Sequence, residues 1–193
     1  MKKVFDKLVA LVFALSTILV CDIAAAAFPI ANPGTEGFLV IVNGTDPVVA
    51  TYQGNSAAYS NDLYLVNTNT FVFNNHTNNP GDTANLGSFA AGTELLFRLH
   101  VNDTGNDFFT GPASRNPDSH EHARAQDAWQ PGVTLVSFED LFNGPFDYND
   151  LSFSFSNTRS AVTAVPEPET YAMLLAGLGL LGFVARRRKH KAA

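Results

Sequence analysis

The sequence predicts an all-β protein: an antiparallel β-sandwich of jelly-roll-like type, flanked by an N-terminal signal peptide and a C-terminal transmembrane helix. Short segments of alternating apolar and polar residues recur along the middle of the chain, separated by clusters of Asn, Gly, Pro and Asp. Each end combines an apolar run with basic residues. The predicted boundaries are a signal peptide at 1–27, a β domain at 28–157, a linker at 158–164 and a C-terminal tail at 165–193, with the transmembrane helix at 171–185.

The N-terminal segment has the three parts of a secretory signal peptide. Three lysines within the first seven residues precede an apolar run at 8–20, and four alanines follow at 24–27. We expect signal peptidase to cut after the last or next-to-last of these alanines. The apolar run is short for a membrane span, which needs about 20 residues. A lipoprotein would need a small residue before Cys21, and Val20 is not small.

The strands are expected in order along the middle of the chain. The segments are 37–42, 48–52, 62–66, 71–73, 94–101, 133–138 and 151–156. In the last segment, Leu and Phe alternate with serine, which predicts apolar side chains inward and serines outward. One segment, 121–129, is expected to be briefly helical.

The charge of the middle region limits its partners. Residues 28–165 contain four arginines, no lysine and 14 acidic residues, a net charge of −10. Such a region repels phosphate backbones, so nucleic acid is not an expected partner. Cations are attracted instead.

The C-terminal tail has a proline–glutamate–proline motif, an apolar segment and a basic end. The motif residues are Val165, Pro166, Glu167, Pro168 and Thr170, and the basic residues that stop the segment in the membrane are Arg186, Arg187 and Arg188. As a helix, the apolar segment at 171–185 would be about 22 Å long, shorter than the usual hydrocarbon core of about 30 Å. The basic end is expected in the cytoplasm, which places the middle region outside.

This order of motif, span and basic end resembles the PEP-CTERM sorting signal of Gram-negative bacteria that make exopolysaccharide. The resemblance implies transient anchoring in the inner membrane and cutting by an exosortase near the motif. It also implies release to the outer surface or the extracellular matrix. A plain C-terminal anchor is the alternative.

Oxygen-bearing side chains flank a Gly-Pro turn between the last two predicted strands, and one more lies upstream. The candidate metal ligands are Glu139, Asp140, Asp147, Asn149, Asp150 and Asp118. Calcium takes six to eight oxygen ligands, so we expect calcium as the cofactor. Turns use the same residue types, so a purely structural role for 147–150 stays open. A zinc site is a weaker alternative, built from His100, His120 and His122.

The acidic segments also resemble the domain of unknown function 4114, which is common in exported bacterial proteins. The matching segments are 138–141, 147–150 and 116–123, within a region from about Leu86 to Phe155. The resemblance implies a functional site at these acidic residues, with calcium as a plausible ligand.

The sequence favours a non-enzymatic surface or matrix protein that binds calcium and exopolysaccharide. No catalytic residue is assigned, since no Ser/His/Asp order or cysteine nucleophile is present. A secreted, carboxylate-based glycoside hydrolase is one alternative, with Glu139 and Asp147 as a geometrically open pair. A ligand-free structural subunit of the matrix is the other.

Overall fold

The computed structural model of the protein describes residues 28–162 and 175–178. Within 28–162 the chain forms twelve β-strands and two short 3-10 helices, at Val66–Thr68 and Ala113–Arg115. The strands are β1 (Leu39–Val42), β2 (Val48–Asn55), β3 (Asn61–Leu65), β4 (Thr70–Asn74), β5 (Thr83–Gly87), β6 (Glu94–Leu95), β7 (Phe97–Val101), β8 (Asp107–Phe109), β9 (Ala123–Gln130), β10 (Val133–Phe138), β11 (Leu151–Ser156) and β12 (Thr158–Ala161).

The strands form three antiparallel sheets. The five-stranded sheet has the order β5-β2-β11-β10-β9, the four-stranded sheet β4-β3-β7-β8 and the three-stranded sheet β12-β1-β6. Every strand pair in these sheets is antiparallel. The all-β prediction is therefore confirmed for the described residues.

The core lies where the five-stranded and four-stranded sheets face each other. Phe97 of β7 stacks on Phe155 of β11 with ring centroids 4.1 Å apart, and Phe73 of β4 stacks on Phe153 of β11 at 6.0 Å. All four rings are buried. Strand alternation explains the arrangement, because every second residue of each strand points into this shared layer.

The opposite face of the five-stranded sheet is covered by the start of the described chain. The backbone N–H of Ala31 donates to Ser137 Oγ at 2.8 Å, and Arg124 Nε donates to Glu36 Oε1 at 2.7 Å. The serines of β11 lie on this face, as alternation predicts, but Ser152 and Ser154 are buried rather than solvent-exposed. The Ser152 and Ser137 hydroxyls are 2.7 Å apart, which satisfies these polar groups away from water.

Three segments differ from the expected elements. The single strand expected at 94–101 is divided at Leu96, because β6 joins the three-stranded sheet and β7 the four-stranded sheet. The segment expected to be briefly helical at 121–129 mostly forms β9, because pairing with β10 outweighs its weak local helical preference. Four residues of the expected linker at 158–164 form β12, which pairs with β1.

The predicted signal peptide at 1–27 lies outside the described residues, and so does most of the C-terminal tail at 165–193. Of the predicted transmembrane helix at 171–185, residues 175–178 are described, and they are helical. In the portions of the chain that the structure covers, no helix has the length and apolar character needed to cross a membrane.

Candidate metal centre and sorting signal

Three carboxylates meet at one end of two neighbouring strands. Glu139 and Asp140 directly follow β10, and Asp150 directly precedes β11. Because Phe138 of β10 pairs with Leu151 of β11, the loop at 139–150 begins and ends at the same place. One ligand oxygen from each carboxylate lies within 4.8 Å of the other two. Among the described residues, this is the one group of three or more His, Cys, Asp and Glu side chains with the spacing of a metal site.

The carboxylates are held close together in a buried position. Glu139 is 0% exposed and Asp140 is 3% exposed, whereas Asp150 is half-buried. The backbone N–H of Asp140 donates to Asp150 Oδ2 at 2.8 Å, and the backbone N–H of Leu141 donates to Glu139 Oε1 at 3.2 Å. None of the ion pairs formed by the described residues includes any of the three. Backbone donors thus position the group without neutralising it.

Asn61, the first residue of β3, adds an amide from the facing sheet. Its Nδ2 donates to Asp140 Oδ2 at 2.8 Å and to the backbone oxygen of Tyr59 at 3.2 Å. The side chain is 0% exposed. Asn61 was missed in the sequence, and no local signal could have found it, since it lies 79 positions from Asp140 and meets it only through sheet packing.

Two buried oxygen atoms at this group have no hydrogen-bond partner. In the described part of the chain, three buried side-chain nitrogen or oxygen atoms lack a partner: Asn61 Oδ1, Glu139 Oε2 and Arg98 Nε. Two of these three belong to the candidate metal centre, which we define as Glu139, Asp140, Asp150 and Asn61. Buried polar atoms are nearly always satisfied, so an unsatisfied acceptor pair beside two more carboxylates is an arrangement that a cation would satisfy.

The electrostatics agree with this geometry. Burial raises the pKa of Asp140 to about 6, and repulsion from Asp150 contributes although the hydrogen bond from Asn61 opposes it. Burial likewise raises the pKa of Asp150 to about 6, with repulsion from Glu139 contributing. Burial also raises the pKa of Glu139. Three clustered carboxylates resist being ionised together, and a bound cation would relieve that cost.

Asp118, another predicted ligand, lies outside the candidate metal centre. Its Oδ2 accepts the backbone N–H of Asn143 at 2.8 Å and lies 2.8 Å from Nε2 of His122. Nδ1 of His122 is 3.0 Å from the backbone oxygen of Glu139. Both partners of His122 are oxygen atoms, so each of its ring nitrogens lies within hydrogen-bond distance of an oxygen. Burial raises the pKa of Asp118, but the donors from Asn143 and His122 outweigh it and bring that pKa below its ordinary value.

The pair of Asp118 and His122 therefore holds the loop at 139–150, which contains the three carboxylates of the candidate metal centre. Phe108 stacks on the His122 ring with centroids 3.7 Å apart. The loop also contains two aromatic residues with positive φ, Phe146 and Tyr148, both at 58°. Such a backbone is rare for bulky residues and persists where surrounding contacts impose it. One such contact is the hydrogen bond from Tyr148 Oη to the backbone oxygen of Glu121 at 2.8 Å.

The remaining predicted ligands make turn contacts. Asn149 Nδ2 donates to Asp147 Oδ2 at 2.7 Å, and Asn149 Oδ1 accepts from Ser56 Oγ at 2.7 Å. Asp147 is exposed. The structure therefore brings three of the six predicted ligands together and places Asp118, Asp147 and Asn149 around them.

The three histidines of the zinc alternative are not gathered into one site. His100 lies on the four-stranded sheet, where its Nδ1 is 2.8 Å from Asp107 Oδ1. His122 is committed on both nitrogens to Asp118 and the backbone of Glu139. His120 is exposed and stacks on Phe146 with ring centroids 4.9 Å apart.

Residues 164–189 match the family model of the PEP-CTERM protein-sorting motif. This match confirms the sorting signal predicted in the C-terminal tail. The motif means that the protein is exported, is processed by an exosortase and is sorted to the cell surface. No curated protein and no solved structure matches the chain. The match to the sorting motif covers residues 164–189 and does not extend into the β domain.

Proposed function

We propose that the protein is a non-enzymatic surface or matrix protein whose β domain binds calcium at the candidate metal centre. The observation that supports this most directly is the pair of unsatisfied buried oxygens, Glu139 Oε2 and Asn61 Oδ1, beside two further carboxylates. Asp140 and Asp150 would complete a set of four protein ligands. The other predicted ligands, Asp118, Asp147 and Asn149, would support the loop rather than coordinate the ion.

Calcium suits the donor atoms better than other common metals. All four side chains would offer oxygen, and no histidine nitrogen or cysteine sulfur lies in the group, which disfavours zinc. Calcium accepts irregular sets of six to eight oxygens, whereas magnesium needs near-ideal octahedral geometry. Backbone oxygens and water would supply the remaining ligands. For an extracellular site we expect a Kd of about 10⁻⁴–10⁻³ M.

The setting outside the cell completes the proposal. The protein would be anchored transiently in the inner membrane of a Gram-negative bacterium and then released to the outer surface or extracellular matrix, with exopolysaccharide as its partner. The scaffold would be a β-sandwich of jelly-roll type, related to the domain of unknown function 4114. Sorting to the cell surface supports this setting, and the acidic charge of the domain suits a cation-containing matrix.

The geometry favours this function over a glycoside hydrolase. The two carboxyl groups of such an enzyme lie about 5–9.5 Å apart on either side of a sugar. Here the ligand oxygens of three carboxylates lie within 4.8 Å of one another, and Glu139 is fully buried. A sugar ring could not fit between these oxygens. In the pair expected for such an enzyme, Glu139 and Asp147, the Glu139 side chain is buried and so is closed to a sugar. The group therefore matches an ion better than a substrate.

Calorimetric titration tests the calcium site. The full-length chain, in a polyoxyethylene detergent, is stripped with a chelator and titrated with Ca²⁺. We expect one binding event and a higher melting temperature at millimolar calcium. Glu139→Gln and Asp150→Asn should remove both effects, while Asp46→Asn, an exposed acid elsewhere, should keep them. No heat and no thermal shift in the wild type would refute the calcium site.

Mass spectrometry tests the processing. The native protein recovered from the cell surface should lack residues 1–27 and the apolar segment 171–185. Replacing Glu167 in the sorting motif by Ala should leave the C-terminal tail attached. Recovery of the wild type from the surface with both termini intact would contradict the proposed route.

A further inference from the structure

The outer face of the four-stranded sheet carries two parallel rows of side chains. Each row crosses all four strands, as the strand register shows. The aromatic row consists of Phe71, Tyr64, Arg98 and Phe109. The polar row consists of Asn74, Asp62, His100 and Asp107. On β3, β7 and β8 these residues alternate with buried core residues, so they face away from the core. On β4 the two row residues flank the buried pair Val72 and Phe73, where the register with β3 shifts.

The aromatic row is organised by its own contacts. The guanidinium carbon of Arg98 lies 4.6 Å from the centroid of the Tyr64 ring, and Tyr64 meets Phe71 edge-on with centroids 5.7 Å apart. Phe71 is 50% exposed, one of the most exposed large apolar side chains of the β domain. The row thus offers apolar surface to solvent on a rigid strand scaffold.

The polar row is also held in place. Asn74 Nδ2 donates to Asp62 Oδ1 at 2.7 Å, and His100 Nδ1 lies 2.8 Å from Asp107 Oδ1. Arg98 reaches from the neighbouring row toward Asp107, with a nitrogen–oxygen distance of 3.7 Å. The His100 and Asp107 side chains are 33% and 37% exposed. Each pair keeps further lone pairs or donors that a ligand can reach.

We propose that this face binds a neutral polysaccharide chain lying across the strands. A sugar ring has an apolar face of C–H groups and an edge of hydroxyl groups. The aromatic row would contact the apolar C–H face, and the polar row would form hydrogen bonds with the hydroxyl groups. Four strands about 4.8 Å apart span about 14 Å, which accommodates several consecutive rings. Such sites combine apolar contact with a few placed polar groups.

The charge of the rows selects the ligand class. The acids Asp62 and Asp107 outnumber Arg98, and residues 28–165 as a whole have a net charge of −10, so an anionic polymer is repelled. A protein partner is disfavoured because the cores of protein interfaces are depleted of charged residues, whereas Arg98 lies between Tyr64 and Phe109 within the aromatic row. Polysaccharide as the ligand rests on the proposed surface function, but the face itself does not depend on calcium.

Electrophoresis through native gels containing polysaccharide tests the site. The full-length chain is run, in a detergent without a sugar headgroup, through gels containing hydroxyethyl cellulose, laminarin or dextran, with alginate as the anionic probe. We expect retardation in at least one neutral gel. Tyr64→Ala and Phe71→Ala should each weaken it by about tenfold, the loss typical of removing an aromatic anchor.

Phe142→Ala is the matched control, since Phe142 is 47% exposed but lies outside both rows. It should leave the retardation unchanged. Phe71→Ala should keep the calcium titration of the wild type, which separates failure at this face from failure at the candidate metal centre. Absence of retardation in every neutral gel, retardation by alginate alone, or retardation that persists in both row variants would each overturn the proposal.

Discussion

Asn61 Nδ2 donates a hydrogen bond to Asp140 Oδ2 at 2.8 Å, and this contact joins the two large sheets at the candidate metal centre. Asn61 begins β3 in the four-stranded sheet, while Asp140 follows β10 in the five-stranded sheet. An ion bound between them would be a second link between the sheets. Calcium should therefore stabilise the whole domain rather than the loop alone.

The first prediction concerns Asn61. Asn61→Ala removes one proposed oxygen ligand and the donor to Asp140, so calcium affinity should fall by at least about tenfold, in line with hydrogen bonds to charged groups worth about 1.5–3 kcal/mol. Calorimetric titration measures the change. Asn85→Ala, an exposed amide on β5, should leave the affinity unaltered. Equal affinities for wild type and Asn61→Ala would remove Asn61 from the ligand set.

The second prediction concerns pH and calcium affinity. The pKa values of Asp140 and Asp150 are both raised to about 6, so protons compete with calcium as the pH falls through that value. Affinity should therefore be nearly constant above pH 7 and decrease steadily below pH 6, as titrations at several pH values would show. An affinity independent of pH between about 5 and 7 would contradict the assignment of these ligands.

The third prediction concerns stability without calcium. Because the folded-state pKa of Asp150 is raised above its unfolded value, the folded state holds the proton more tightly between about pH 4 and pH 6. This contribution is fully present below the unfolded pKa and is lost as the pH rises through the folded one. In chelator, the free energy of unfolding of the wild type should fall relative to that of Asp150→Asn as the pH rises from about 4 to about 6. Urea unfolding at several pH values measures this difference. The opposite trend would mean that Asp150 is stabilised as a carboxylate.

The fourth prediction concerns the loop support. Asp118→Asn removes the buried carboxylate that contacts His122 Nε2 and accepts the backbone N–H of Asn143, and hydrogen bonds to charged groups are worth about 1.5–3 kcal/mol. The melting temperature and the free energy of unfolding should both drop. Asp46→Asn should change the free energy of unfolding by less than about 0.5 kcal/mol, as surface substitutions do. Similar small effects for both variants would show that the pair does not hold the loop.

The fifth prediction concerns the core between the sheets. Phe155→Ala removes a buried ring stacked 4.1 Å from Phe97, and such truncations cost about 3–5 kcal/mol. Phe155→Leu, which keeps most of the apolar volume, should cost clearly less. Chemical denaturation gives both values. Equal costs would indicate that the core repacks around the lost ring.

Strand alternation predicted most of the β domain, because period-two patterning reports directly on a half-buried strand. The alternation did not predict which sheet a strand joins or whether its polar face is covered, because contacts distant in sequence determine both. In the run at 94–101 every second residue from Leu95 onward is apolar, which predicts one strand, yet the chain changes sheets at Leu96. The backbone N–H of Leu96 donates to Asn67 Oδ1 at 2.9 Å instead. Local pattern carries no information about which sheet a strand joins. The serines of β11 were placed on the right face, but nothing in their own segment indicates that residues near Ala31 cover it.

The candidate metal centre was predictable only in part for a similar reason. Glu139, Asp140 and Asp150 flank one predicted turn, so proximity in sequence found them. For the same reason the prediction included Asp147 and Asn149, whose side chains hydrogen-bond to each other within the turn. Metal ligands and turn residues are of the same types, so the sequence alone does not distinguish them. Asn61 comes from a distant strand and became visible through packing alone.

The position of β12 limits how the sorting enzyme can reach its target. β12 ends at Ala161 and is tied to β1, and the matched motif begins at residue 164. Three residues extend at most about 11 Å, at about 3.6 Å each. An exosortase that binds this motif would therefore meet a folded strand within about 11 Å of the first matched residue, so we expect the length of the segment between β12 and the motif to affect how readily the motif is processed.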